Sequence, residues 1–435
     1  MTKLFTTSKY YLQQIASLLL YRSVLTGKVG LSYVKLLETL NCYSSDKVSN
    51  DKSHRVTTTE CLQAYSNWFS ALAETNLSWQ DYLVRELLYD SNPFSLQVQT
   101  TELNNLPGST VAAAKHDLKI LQGIYSFTPD KIADWVASTF QTKTDLVAWA
   151  MPSSLPSFLH QAQQWQETLH QLAQHYRQQG TGIFARYSAF RWHNGALVGI
   201  NQPDPITLDD IAGYESQKDI LVKNTRVLLA GYRGLHTLLY GSRGTGKSSL
   251  VKALRTQYCS EGLRIIEVGK SELNNLPTIV QQLQQVPQKF IIFVDDLSFE
   301  EDDDAFKALK VVLEGNLTAT VNNVVVYATT NRRHLIREYF SDRPRPSDSD
   351  EIHNWDTVQE KLSFSDRFGL TITFEPASQD TYLEIVNHLA KREGISIPQE
   401  ELEFRAKQWA TRGNGRSGRT AKQFVSYLQG EIAIS

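Results

Sequence analysis

The sequence predicts an α/β protein: a three-layer αβα core with a five-stranded parallel sheet, preceded by a mainly helical N-terminal domain and followed by a helical C-terminal one. Three observations lead there. From about residue 207, short apolar runs alternate with amphipathic stretches, as strands and crossover helices do in a parallel sheet. A glycine-rich turn, "GSRGTGKSS", sits where the first of those strands meets a helix. Residues 1–180 carry apolar residues at helical spacing, with Pro93, Pro107, Pro152 and Pro156 between the segments.

The N-terminal helices read as "YYLQQIASLLLYRSVL", "ECLQAYSNWFSALAE", "WQDYLVRELLYD", "AAAKHDLKILQGIY" and "FLHQAQQWQETLHQLAQHYRQQG". Trp68, Trp79, Trp135, Trp149 and Trp165 fall on their apolar faces with few cations between them. They read as core rather than as a base-stacking surface. The run "IASLLLY", residues 15–21, is too short to span a membrane and precedes no convincing cleavage site. Leu12, Ile15, Leu19 and Tyr21 make it part of an amphipathic helix.

Residues 181–203 read as a β-hairpin and linker. Two apolar stretches flank His193-Asn194-Gly195, and Asn-Gly is a strong turn signal. The expectation is a hairpin that closes the helical region. Residues 204–376 then form the sheet-bearing core. Its strands are "HTLLYG" (236–241), "LRIIEV" (263–268), "KFIIFVD" (289–295), "NVVVYATT" (323–330) and "LTITFE" (370–375). Residues 377–435 return to helical spacing.

Composition narrows the function classes. At 435 residues the chain is long enough for two or three domains. Hydrophobic residues are 41% and charged ones 21%, as in a soluble globular protein. A net charge of −2 gives no global attraction to nucleic acid or acidic membrane. The three cysteines, Cys42, Cys61 and Cys259, lack disulfide or zinc spacing. They suit a reducing compartment, so a cytoplasmic location is expected.

Chemistry concentrates after residue 240. Gly241, Gly246, Lys247 and Ser248 fill the pattern G-x-x-x-x-G-K-[ST], with a strand before and the helix "SSLVKALRTQY" after. In such a phosphate loop the backbone of Gly241, Ser242, Arg243, Gly244, Thr245, Gly246, Lys247, Ser248 and Ser249 wraps an anion at a helix N-terminus. Lys247 reaches the β/γ-phosphates, and the Ser248 hydroxyl helps hold Mg²⁺. ATP and Mg²⁺ are therefore the expected cofactors. "FIIFVDDL" is a buried strand ending in acid. There Asp295 would hold the metal, and Asp296 follows where a general base orients water. Aspartates also cap helices after strands. Asn331 follows the strand "VVVYATT" and can bond the γ-phosphate or the water beside it, although Asn is also an ordinary turn residue. Arg367, in "SFSDRFGL", taken alone reads as a surface charge before a turn.

Taken together, these motifs resemble the AAA+ ATPases. "ITLDDIAGYESQKDILVKNTRVLLAG", "GSRGTGKSS", "IIFVDDLSFE", "YATTNRRHLI", "LSFSDRFGL" and "GRSGRTAKQF" occur in AAA+ order. The wording "DDLSFE", "NRRHLI" and "SDRFGL" is similar to a bacterial AAA+ family of unassigned function. The resemblance covers residues 204–435, extends to "FARYSAFRW", and reaches the helical N-terminus only loosely. It implies AAA+ strand order and a C-terminal helical lid over the nucleotide. It also implies adenine contacts at Ile211 and Gly213, sensor 1 at Asn331 and sensor 2 at Arg419, with Arg416 as the competing register. Arg367 matches the arginine finger, which completes the site of a neighbouring subunit and so implies a homo-oligomer. One departure is Asp296, where many AAA+ motors place Glu; Glu300 is the alternative source of a carboxylate.

The leading expectation is an ATP-driven machine or switch that remodels a protein partner recognised by the helical N-terminus. A DNA-associated AAA+ protein of the loader or initiator type is the alternative. It draws on the basic segments at 331–347 and 407–422. A P-loop small-molecule kinase comes third, because it does not account for the sensor and finger residues.

Overall fold

The computed structural model describes residues 2–46, 56–140, 146–284, 286–298, 304–314, 322–331, 367–413 and 415–434. The chain divides into two compact units, Met1–Arg186 and Tyr187–Ser435.

The first unit is helical: α1 (Thr2–Ala16), α2 (Lys28–Asp46), α3 (Thr58–Ala73), α4 (Trp79–Tyr89), α5 (Pro93–Thr100), α6 (Gly108–Tyr125), α7 (Pro129–Phe140), α8 (Phe158–Gln161), α9 (Leu169–Gln179) and α10 (Ile183–Arg186). Local chemistry starts these helices. Thr57 and Glu60 form a reciprocal cap on α3, Ser78 caps α4, and Pro93 opens α5, where its missing N–H costs nothing. Trp68, Trp79 and Trp165 are fully buried and Trp135 nearly so. Trp79 packs 4.7 Å from Tyr33 and edge-on to Trp68 at 5.6 Å. These four tryptophans therefore build the core, while Trp149 is half-buried, edge-on to Phe69 at 5.7 Å with its N–H donated to the Leu77 carbonyl.

One helix is shorter than its spacing suggests. α1 stops at Ala16, because the buried Asp117 carboxylate of α6 accepts the N–H groups of Leu19, Leu20 and Tyr21. A long-range acceptor for three backbone donors outcompetes one more helical turn.

The second unit contains β1 (Ala189–His193), β2 (Ala196–Gly199), α11 (Glu215–Leu229), β3 (Thr237–Gly241), α12 (Lys247–Tyr258), β4 (Leu263–Glu267), α13 (Leu276–Leu283), β5 (Lys289–Val294), α14 (Asp304–Glu314), β6 (Val324–Thr330), β7 (Leu370–Phe374), α15 (Gln379–Arg392), α16 (Gln399–Arg412) and α17 (Gly418–Ile434). All seven residues of β6 are buried, as a strand covered on both faces requires.

The sheet order is β2-β1-β4-β5-β6-β3-β7. Among the described residues it has seven strands rather than the expected five, and only the β1–β2 pair is antiparallel. The hairpin is the source of the difference. Asn194 and Gly195 both take positive φ (51° and 79°), the signature of a tight two-residue turn whose twist suits a hairpin. The hairpin does not close the helical region, however. β1 runs parallel to β4, pairing Ala189 with Ile265 and Phe190 with Ile266. β4 carries four buried residues in a row, three of them apolar beside Arg264, and a buried edge of that kind needs a covering strand.

Candidate functional site

A cleft of about 730 Å³ opens outside the carboxyl ends of the parallel strands, the position where open α/β sheets hold ligands. One side is the loop between β3 and α12. Gly246 takes φ +88° at the N-terminus of α12, a conformation that suits glycine and turns the backbone into the helix. The opposing wall comes from Ile385, Leu389 and Arg392 of α15 and from Gly418, Arg419, Lys422 and Val425 of α17.

Lys247 is the centre of the loop and is only 6% exposed. Its ammonium donates to the Gly241 carbonyl at 2.8 Å, the Ser242 carbonyl at 2.7 Å and Asn331 Oδ1 at 3.2 Å. Burying an ammonium costs several kcal/mol, so satisfying all three donors is what makes its position tenable. Burial pushes its pKa below the ordinary value of 10.5, and the nearby Asp295 and Asp296 pull it back up.

The acidic side is equally connected. Ser248 Oγ donates to Asp295 Oδ1 at 2.6 Å, and Thr329 Oγ1 donates to the same oxygen at 2.5 Å. The Asp296 N–H donates to Thr329 Oγ1 at 3.0 Å, and Asp296 sits at φ +52°. Asn331 Nδ2 donates to Asp296 Oδ1 at 2.9 Å. Asn331 therefore joins Lys247 to Asp296. It can do so because β6, which it follows, lies between β5 and β3 in the sheet.

Most of the residues singled out in the sequence converge here. Ile211, Arg243, Gly244, Thr245, Gly246, Lys247, Ser248, Ser249, Asp295, Asp296, Asn331 and Arg419 all line the cleft. Gly241 and Ser242 serve behind it through their carbonyls. Gly213 lies just off the lining: a Cβ there would come 2.7 Å from Thr381 Cγ2 of α15, so glycine allows that close approach. Between the two arginine candidates, Arg419 lines the cleft, and its N–H donates to the Gly244 carbonyl at 3.3 Å. Arg416 instead meets Gln379 at 3.1 Å. Glu300 and residues 332–347 lie outside the described residues.

Arg367 stands elsewhere, before β7, where it pairs with Glu314 at the end of α14. Phe374 at the far end of β7 is in register with Gly241. At about 3.3 Å per strand residue, the four steps of β7 alone put about 13 Å between Arg367's end of the strand and the phosphate loop.

Sequence reasoning missed Thr329, Asp210, Arg392 and Lys422. Arg392 and Asp210 form an ion pair at 2.6 Å beside the cleft. Thr329 gave no signal, because a β-branched residue is ordinary in a buried strand.

The donors that a metal would meet are Ser248 Oγ and Asp295, both at the mouth of the loop, and oxygen donors are what Mg²⁺ takes. The buried lysine and the N-terminus of α12, which it opens, suit the phosphates of a nucleotide. Fold and cleft together define an α/β protein with a phosphate-loop motif at the carboxyl end of its parallel sheet. Within that class, the chain belongs to the family described as "Protein of unknown function (DUF815)", whose model matches residues 185–432.

No curated protein matches the chain. Among solved structures, a variant of Thermotoga maritima RuvB is 15% identical with a TM-score of 0.39, over 53% of this chain and 66% of that one. The T. maritima RuvB Holliday junction branch migration motor is 15% identical with a TM-score of 0.34, over 52% and 72%. A replication initiator DnaA bound to AMPPCP and single-stranded DNA is 15% identical with a TM-score of 0.36, over 52% and 66%. The chain thus spans just under two thirds of the first of these structures. Among the described residues, no helix is long and apolar enough to cross a membrane.

Proposed function

We propose that this chain binds and hydrolyses ATP in the cleft, and that hydrolysis gates the remodelling of a protein partner. The observation that carries the chemistry is the Lys247–Asn331–Asp296 connection, which links the phosphate-binding cation to the candidate base through one amide. Ser248 and Asp295 would hold Mg²⁺, which supplies charge neutralisation on the phosphate oxygens when bound. Lys247 exchanges an internal acceptor for phosphate, Asp296 orients the attacking water, and Asn331 senses the exchange. Ile211 contacts the base. Arg419 brings a cation from α17, so the C-terminal helices act as a lid. Arg367 is too far from its own cleft, and on this reading it completes the site of a second copy. Partner recognition is assigned to the helical N-terminal unit, among whose described residues no cluster of metal-ligating side chains occurs.

The test compares the wild-type chain with Lys247→Ala and Asn331→Ala. Lys247→Ala is expected to lose ATP binding. Asn331→Ala is expected to keep binding and lose turnover. Equal ATP binding by wild type and Lys247→Ala would overturn the reading. Turnover without an added acceptor argues against the kinase alternative.

A DNA-associated role is the second reading, and Lys407 and Arg412, exposed on α16, favour it. Its electrostatic basis is reduced because Arg419 and Lys422, from the same basic segment, face the cleft. Filter binding to duplex and single-stranded DNA across a salt series decides this. A negative slope of log affinity against log salt supports DNA contact, and no retention at low salt rejects it.

A further inference from the structure

Thr329 makes more contacts to the acidic turn than any residue expected to matter there. It is the second-last residue of β6 and is 2% exposed. Its hydroxyl hydrogen goes to Asp295 Oδ1 at 2.5 Å, and its oxygen accepts the Asp296 N–H at 3.0 Å. Its own carbonyl accepts the Leu297 N–H at 2.7 Å. Three consecutive residues after β5 are thus held by one residue of the neighbouring strand.

Each bond has a separate consequence. The bond to Asp295 shares Oδ1 with the Ser248 hydroxyl, so that oxygen is saturated by two donors and the carboxylate rotation is set. The bond from Asp296 helps hold a backbone at φ +52°, a conformation that costs most L-residues about 1–2 kcal/mol and that aspartate visits more readily. That conformation in turn presents the Asp296 side chain to Asn331. A valine in place of Thr329 would fill the same volume and suit the strand equally well. It would leave the Asp296 N–H without its acceptor and free Asp295 to turn.

We propose that Thr329 is a positioning residue, whose single hydroxyl sets both the Asp295 carboxylate toward the metal and the Asp296 carboxylate toward the water. This rests on the ATPase reading above. Because Thr329 sits behind the two acids, its loss should act through metal dependence and turnover and leave the phosphate loop alone.

The experiment uses the full chain and measures two quantities. One is the affinity for a fluorescent ATP analogue, in Mg²⁺ and in EDTA. The other is steady-state ATP hydrolysis. For Thr329→Val, the affinity in EDTA should stay within about twofold of wild type. The gain in affinity on adding Mg²⁺ should shrink by about tenfold or more, the usual scale for losing a partner behind a metal ligand. kcat should fall by about 10–100-fold, with a smaller change in KM. Thr329→Ser keeps the hydroxyl and should restore both quantities to within a few-fold. If Thr329→Val does not fold, Thr329→Ala is read in the same way.

A folded valine or alanine variant with wild-type Mg²⁺ dependence and kcat overturns the proposal. So does a serine variant as impaired as the valine one, since shape rather than the hydroxyl would then be what matters. A wild-type chain that neither binds nor hydrolyses ATP removes the ATPase reading itself. A wild type that does both, beside an unaffected Thr329→Val, removes only this proposal.

Discussion

Replacing Asp296 with glutamate, the acid one methylene longer, is expected to damage this site rather than improve it. Asp296 occupies φ +52°, in the left-handed region. Glutamate lacks aspartate's tolerance of that region, which adds about 1 kcal/mol. The 2.9 Å bond from Asn331 Nδ2 contributes about another 1 kcal/mol, and an acceptor one methylene further out loses it. The sum, about 2 kcal/mol, corresponds to a fall of roughly 4–8 °C in the melting midpoint for a unit of this size. A carboxylate misplaced by about 1 Å can cost around 10²-fold in turnover. Asp296→Asn is the control, since asparagine tolerates the same backbone and still offers an oxygen to Asn331. It should melt with wild type and lose about 10²–10⁴-fold in turnover. Thermal unfolding followed by circular dichroism and a coupled ATPase assay read both effects. An Asp296→Glu chain as stable as wild type, with equal or faster hydrolysis, would refute the argument from backbone conformation.

Two further outcomes follow from other parts of the second unit. Arg367→Ala should keep ATP affinity and lose turnover by up to about 10³-fold or more, as fingers generally do. Mixing it with Lys247→Ala should recover activity, because a mixed interface holds one intact site; no recovery in a verified mixed oligomer returns Arg367 to its Glu314 pairing alone. His236 accepts the Val326 N–H on Nδ1 at 3.0 Å, and burial pushes its pKa down to about 4 from an ordinary 6.5. A folded-state value below the unfolded one means the neutral ring's contribution is fully present above pH 6.5. It is lost as pH falls from 6.5 toward 4, by about 3 kcal/mol at the limit. The melting midpoint should drop across that window, and His236→Asn should flatten the drop; an unchanged slope would show that other groups cause it.

The parts of the site that could be read in the sequence are those where one residue type has little competition for its place. A glycine that must take φ +88° before a buried lysine, and a buried strand ending in two aspartates, fit few places in a fold other than a phosphate site. The Asn194-Gly195 turn is legible on similar grounds, since few dipeptides supply two positive φ values. Which sheet edge the hairpin joins is not legible, because that depends on β4 needing a neighbour across about 70 residues of chain. Thr329 is invisible because its strand already calls for a β-branched residue. Arg392 and Lys422 look like ordinary solvated charges until their helices are seen to line a cleft. Arg416 and Arg419 are equivalent in spacing, and only the turn into α17 separates them.

The hairpin also determines where the second unit can be cut from the rest. A chain starting at residue 204 retains every motif but strips β1 from β4. The Ile265 N–H, which donates to the Ser188 carbonyl at 3.0 Å, would lose its acceptor, and an apolar edge would be open to pairing with another molecule. Such a truncation invites aggregation for reasons unrelated to ATP. A cut before Tyr187 ends the sheet on β2 instead, which has only four residues and is a poorer template for strand addition.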